Sequence, residues 1–183
     1  MQPNYKTLAT IIVSLSAIMS TTQTNALTTE TKASAVVFSK SSCTKLAHTT
    51  QPFILVLSNA EDLLGSITQC AKDAKLKSAT FSGLGQVHNP TLAYFTSNPN
   101  DKPTLTTFSG YYELASFNGD ITNNNNEYYS HAHAVLADKK FHGIAGHVNK
   151  AKVGLTAEIA ITPLPVPVQR AVDNKTGFGP IIE

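Results

Sequence analysis

The sequence predicts an α+β domain: one principal helix set against a mainly antiparallel, mixed β-sheet. Three observations predict it. A single stretch, residues 63–74, carries Leu63, Leu64, Ile67, Cys70, Ala71 and Ala74 at helical spacing. After it come several short apolar or alternating runs, separated by turn residues and with no second helical pattern, which favours an antiparallel sheet over repeated βαβ units. The chain of 183 residues is 42% hydrophobic and only 14% charged, enough for one sizeable core and short extensions. Its formal charge of +2 is too small to imply a polyanion partner.

The first element is an export signal. Lys6 supplies a positive start, residues 8–19 form an apolar run, and Thr24-Asn25-Ala26 resembles a cleavage site, so residues 1–26 read as a signal peptide. The alternative is an uncleaved N-terminal anchor, for which the run is short. Cleavage leaves 13 basic and 12 acidic residues, because Lys6 is the one charged residue removed. Residues 27–51, rich in Thr, Ser and Ala, read as a leader, residues 52–162 as the domain, and the proline-rich residues 163–183 as a tail over its surface. Export permits a disulfide between Cys43 and Cys70. The other reading makes Cys70 a small core residue of the helix and leaves Cys43 on a loose leader.

Within the domain, Phe53-Ile54-Leu55-Val56-Leu57 is a continuous apolar run that predicts a buried strand. Ser58 lies three residues before Glu61, a capping-box spacing for the helix that follows, and Lys75 and Lys77 suit its C-terminal end. Residues 79–87 contain Ser82-Gly83-Leu84-Gly85 and predict a bent or bulged strand. Residues 91–95, 104–108 and 111–117 predict three more strands, with a loop over 97–103. The polar run 123–126 predicts a surface loop. Strands over 131–137, 141–148 and 153–161 complete the set.

His131-Ala132-His133 is the motif with the most chemical content. On a strand, residues i and i+2 share a face about 7 Å apart, so two imidazoles can approach one ion. His147 ends the next strand. A three-residue turn Asp138-Lys139-Lys140 would set Ala137 opposite Phe141 and His131 opposite His147, bringing all three rings to one face. A turn of two or four residues would break that parity. The apolar neighbours predict a strand buried on both sides, where unpartnered imidazoles would be unfavourable and a metal would relieve them. His142 has the wrong parity. Imidazole ligands favour zinc, and three of them leave a coordination position open for water or a carboxylate.

The order of motifs resembles the plants-and-prokaryotes-conserved (PPC) domain over residues 52–162. The resemblance rests on Glu61-Asp62-Leu63-Leu64, on Phe81-Ser82-Gly83-Leu84-Gly85-Gln86-Val87, and on the run from Gly110-Tyr111-Tyr112-Glu113-Leu114 to Asn118-Gly119. It rests further on His131-Ala132-His133-Ala134-Val135, on Gly143-Ile144-Ala145-Gly146-His147, and on Leu155-Thr156-Ala157-Glu158. It implies an antiparallel-sheet fold, a homotrimer, and the three-histidine zinc site of prokaryotic members at His131, His133 and His147. Plant members instead carry AT-hooks. This chain has no Arg-Gly-Arg-Pro element, so nucleic-acid binding is not expected. The fold is also similar to that of zinc-dependent acetolactate decarboxylase.

The resulting expectation is an exported, trimeric, zinc-binding protein that is periplasmic or secreted and free of the membrane after cleavage, with a small molecule or carboxylate as ligand at the metal. The alternative is a small zinc-dependent hydrolase or decarboxylase-like lyase, for which Glu113 and Glu158 are the acid-base candidates. A DNA-binding regulator ranks third. Gly83-Leu84-Gly85 is not a nucleotide loop, since His88 stands where a third glycine is needed.

Overall fold

The computed structural model describes residues 37–182; the expected signal peptide and the first part of the leader lie outside the described residues. Nine strands and one α-helix follow in order: β1 Val37–Ser39, β2 Phe53–Ser58, α1 Leu63–Asp73, β3 Ser78–Tyr94, β4 Thr104–Thr107, β5 Tyr111–Asn124, β6 Glu127–Ala137, β7 Gly143–Leu164, β8 Gln169–Arg170 and β9 Ile181–Ile182. A short 3-10 helix, Lys40–Leu46, sits between β1 and β2. The α+β class holds, with one mixed sheet and one principal helix.

The strand pairings close a ring. β3 pairs with β5, β5 with β6, β6 with β7, and β7 returns to β3, all antiparallel. Closure pairs both edges of β6 from His133 to Ala137, while its earlier residues pair with β5 alone. β2 extends the sheet from the second half of β7, and β1 adds in parallel to β2. Phe53, Leu55 and Leu57 of β2 and Ile159 and Ile161 of β7 are buried in one cluster with Leu63, Ile67, Cys70 and Ala71 of α1. Each such large side chain contributes roughly 1.5–3 kcal/mol.

Several elements differ from their sequence expectation. The helix starts four residues later than a Ser58 cap would place it: Asp62 is the cap and accepts from the Gly65 amide at 2.7 Å. Glu61 still reaches back to the Ser58 amide at 2.7 Å, so half of the capping box forms at a strand end. The runs 79–87 and 91–95 are one strand, with irregular register around His88 and Thr91 that absorbs Asn89 at φ 49° and Pro90. The runs 141–148 and 153–161 likewise belong to the single strand β7. The polar run 123–126 is not all loop. Only Asn125 and Asn126 turn, at φ 51° and 66°, a type I′ geometry that two asparagines accommodate, while Asn123 and Asn124 stay paired.

Among the described residues, segments on both sides of the expected domain take part in the fold. The segment read as a leader enters the sheet from Val37, and Cys43 is fully buried and disulfide-bonded to Cys70 of α1 with a Cα separation of 5.3 Å. The bond spans 27 positions of sequence, so a Cys43→Ser/Cys70→Ser double variant is expected to lose about 3–4 kcal/mol in urea unfolding. A midpoint shift amounting to less than about 1 kcal/mol would show that the segment before β2 is held by packing alone. The tail does not simply lie over the surface. Gln169 pairs in parallel with Asn123 of β5, and β8 pairs with β9. That pairing carries Arg170, only 7% exposed, to the histidines.

Candidate metal centre

The hairpin β5–β6 builds the site. Counting back from its Asn125-Asn126 turn places Asp120 directly across from His131, and Asn118 across from His133. Gly119 lies between those two positions, and a side chain there would run into the His131 carbonyl and the Phe81 ring. Glycine at this point lets β3, β5 and β6 close on one another.

The connection between β6 and β7 is five residues long, not three: Ala137 pairs with Gly143. The Asp138 side chain organises it, accepting from the Lys140 amide at 2.7 Å and the His142 amide at 3.0 Å. Phe141 at φ 65° cannot continue a strand and stands 89% exposed. The partner of His147 is therefore His133, two positions from the expected His131. Three and five are both odd, so the face is unchanged. His131, His133 and His147 converge, with one ligand nitrogen of each within 4.8 Å of the others. Ring centroids lie 5.0–5.5 Å apart. A tetrahedral ion at 2.0–2.1 Å from each nitrogen needs them about 3.4 Å apart, within reach of small side-chain rotations. The donor set fits a transition-metal ion.

The histidine-bearing strand is not buried on both sides as expected. Ala132, Ala134 and Leu136 face the core, whereas His133 and Val135 on the opposite face are exposed. The cluster forms the floor of a cavity of about 280 Å³ open to solvent. Burial, reinforced by the charges of His131, His133 and Arg170, pushes the His147 imidazole down to about 4. Burial and then His131 lower His133 as well. Both rings are thus held deprotonated at neutral pH, the form that ligates metal.

Three further groups were not found by sequence reasoning. Asp120 lies 3.6 Å from Nδ1 of His131. Arg170 donates from Nη2 to both Asp120 oxygens, at 2.8 and 3.0 Å, from Nε to the Thr122 hydroxyl at 3.1 Å, and from Nη1 to the Gly179 carbonyl. Burial alone would raise the Asp120 carboxyl, but the neighbouring His131 and the hydrogen bonds and charge of Arg170 outweigh it and hold it below its usual value. Phe95 packs edge-on against His147 at 5.3 Å. The Asn-Asn turn would have revealed Asp120 by counting; nothing local marks Arg170, 39 positions beyond His131.

The proposed acid-base residues do not join the cluster. Glu113 pairs across from Ala137 and accepts from Gln86 at 3.0 Å, about 20 Å along β5 from Asp120. Glu158 lines a separate groove with Ser82, Leu84 and Asn118 and is not among the residues that line the cavity over the histidines. His142 is exposed beside Asp138, and His88 stacks on Tyr111 with ring centroids 4.3 Å apart.

Comparison with known proteins agrees with this fold. A protein of Ralstonia eutropha JMP134, a candidate DNA-binding protein by its description, is 25% identical with a TM-score of 0.65, covering 75% of this chain and 94% of its own. A plant- and prokaryote-conserved (PPC) protein of Pyrococcus horikoshii is 22% identical with a TM-score of 0.65, covering 73% and 92%. A metal-containing protein of Archaeoglobus fulgidus is 20% identical with a TM-score of 0.64, covering 73% and 94%. A search of the curated proteins finds no match. The family profile named Plants and Prokaryotes Conserved (PCC) domain matches residues 45–165, and the chain belongs to that family.

Proposed function

We propose that this chain is an exported PPC-family protein that holds one divalent ion, zinc by preference, through His131, His133 and His147, and that it works as a homotrimer. The observation that carries the reading is the convergence of three imidazole nitrogens on the open face of β6 and β7. When bound, the ion would supply Lewis acidity at a coordination position left to solvent or ligand. The metal-containing relative of Archaeoglobus fulgidus supports it. His131 offers Nε2 when its proton is on Nδ1, and a small rotation would bring that nitrogen from 3.6 Å to hydrogen-bond distance of Asp120, whose carboxylate would then orient the ring. The alternative proton placement, with Nδ1 accepting from Arg170 Nη2 at 3.0 Å, would block Nε2. Ligation selects the first.

Export is supported by the Cys43–Cys70 bond, which suits an oxidising compartment. Trimerisation is supported by the outer sheet face, where Val37, Leu84 and Leu155 are 57%, 61% and 69% exposed. The non-catalytic binding reading is favoured over a hydrolase or lyase, because Glu113 and Glu158 lie away from the cluster and Asp120 is already paired with Arg170. Elemental analysis of the purified mature protein should give one metal per chain, and sedimentation three chains per particle. Metal well below stoichiometry after zinc loading would overturn the first claim, and a monomer the second.

A further inference from the structure

The cavity above the histidines has walls that the metal does not explain. Its rim on one side is the C-terminal segment, Gly177, Phe178, Gly179 and Pro180. Across from it stand Phe95 and Tyr129. Tyr129 precedes His131 by two positions on β6 and so shares its face. Four of these six residues are aromatic or proline.

Charge decides what could enter. No Asp or Glu lines the cavity. Asp120, the carboxylate that touches the cluster, is paired with Arg170, and these two charges cancel. With neutral imidazoles, a divalent ion would bring two positive charges with no protein anion facing them. The guanidinium is already directed at Asp120, Thr122 and Gly179, so it is not the anion receptor. The Tyr129 hydroxyl has no hydrogen-bond partner among the described residues and could donate to a single oxygen. These few donors suit a carboxylate better than a phosphate, whose three oxygens need more. The volume of about 280 Å³ corresponds to about nine water molecules, so the ligand is small.

We propose that the cavity between the three histidines and the C-terminal segment binds a small carboxylate with a compact aromatic or similarly apolar body, its carboxylate toward the metal and Tyr129 and its body between Phe95, Phe178 and Pro180. This rests on the three-histidine metal reading and adds the ligand class to it. An aromatic guest gains edge or offset contacts with both phenyl rings beyond its apolar burial.

The test uses the full mature protein loaded with Co²⁺, whose visible bands change when an anion enters its coordination sphere. Benzoate and acetate are titrated in parallel. Benzoate is expected to bind at least tenfold more tightly than acetate. In Phe178→Ala that preference should fall to within about threefold, with Co²⁺ affinity and acetate binding unchanged. Phe178 is 43% exposed, so its removal should leave the fold intact, and Phe95→Leu provides a second wall variant. Equal affinity for the two anions would overturn the proposal, as would a benzoate preference that survives both variants. Absence of Co²⁺ bands would instead sink the metal reading on which it stands.

Discussion

His147→Ala is expected to abolish stoichiometric metal binding. Structural zinc sites with four ligands have apparent binding free energies of about 10–16 kcal/mol, so one ligand carries roughly 3–4 kcal/mol, or two to three orders of magnitude in affinity. The wild-type protein should therefore keep its ion against a competing chromophoric chelator that strips the variant. His133→Ala and His131→Ala should behave alike, since each removes one of three converging nitrogens. His142→Ala is the internal control: His142 is exposed on the loop, and its loss should change metal affinity less than twofold. Bound metal should also raise thermal stability, by about 2.7 kcal/mol at a hundredfold excess over Kd. If His147→Ala retains the ion at wild-type affinity, the cluster is not the site.

The second large effect is expected at Arg170, through the ion pair it makes with Asp120. Arg170→Met preserves side-chain length but leaves Asp120 without its bidentate partner. A fully buried pair broken on one side loses about 3–5 kcal/mol. Asp120 retains 24% exposure, so a loss of roughly 1–3 kcal/mol is expected in urea unfolding. Metal affinity should fall as well, by about 10–100-fold, because Asp120 orients His131 and its position depends on Arg170. The double variant Asp120→Leu/Arg170→Met separates the two effects. It should recover part of the stability, having no unpaired charge, yet stay weak for metal. A metal affinity in Arg170→Met within twofold of wild type would reduce the ion pair to a structural clamp on the tail.

The histidine face could be read in advance because side-chain parity along a strand is a local property. His131 and His133 are two apart, and any odd-numbered connection to β7 brings His147 to the same side. The actual partner could not be read, because loop length depends on how Asp138 captures the amides of Lys140 and His142. The helix was legible from its apolar spacing. Its true cap was not, since Ser58 is drawn into β2 by pairing with Thr156. Glu113 and Glu158 looked plausible as acids because both sit in apolar strands. Where along and across the sheet a strand residue ends up is fixed by its partner strands, and these place Glu113 at the far end of β5 and Glu158 on β7 beyond β3.

Composition and periodicity were thus enough for the α+β class, the resemblance of motifs along the domain pointed to the family, and the three metal-ligand candidates followed from side-chain parity within two strands. Closure of the β3–β5–β6–β7 ring, the arrival of Arg170 from the tail, and the burial of Cys43 were settled only by the folded chain. The physical reason is separation in sequence. Arg170 meets Asp120 across 50 positions, and no local propensity encodes a contact whose stability depends on everything folded between them.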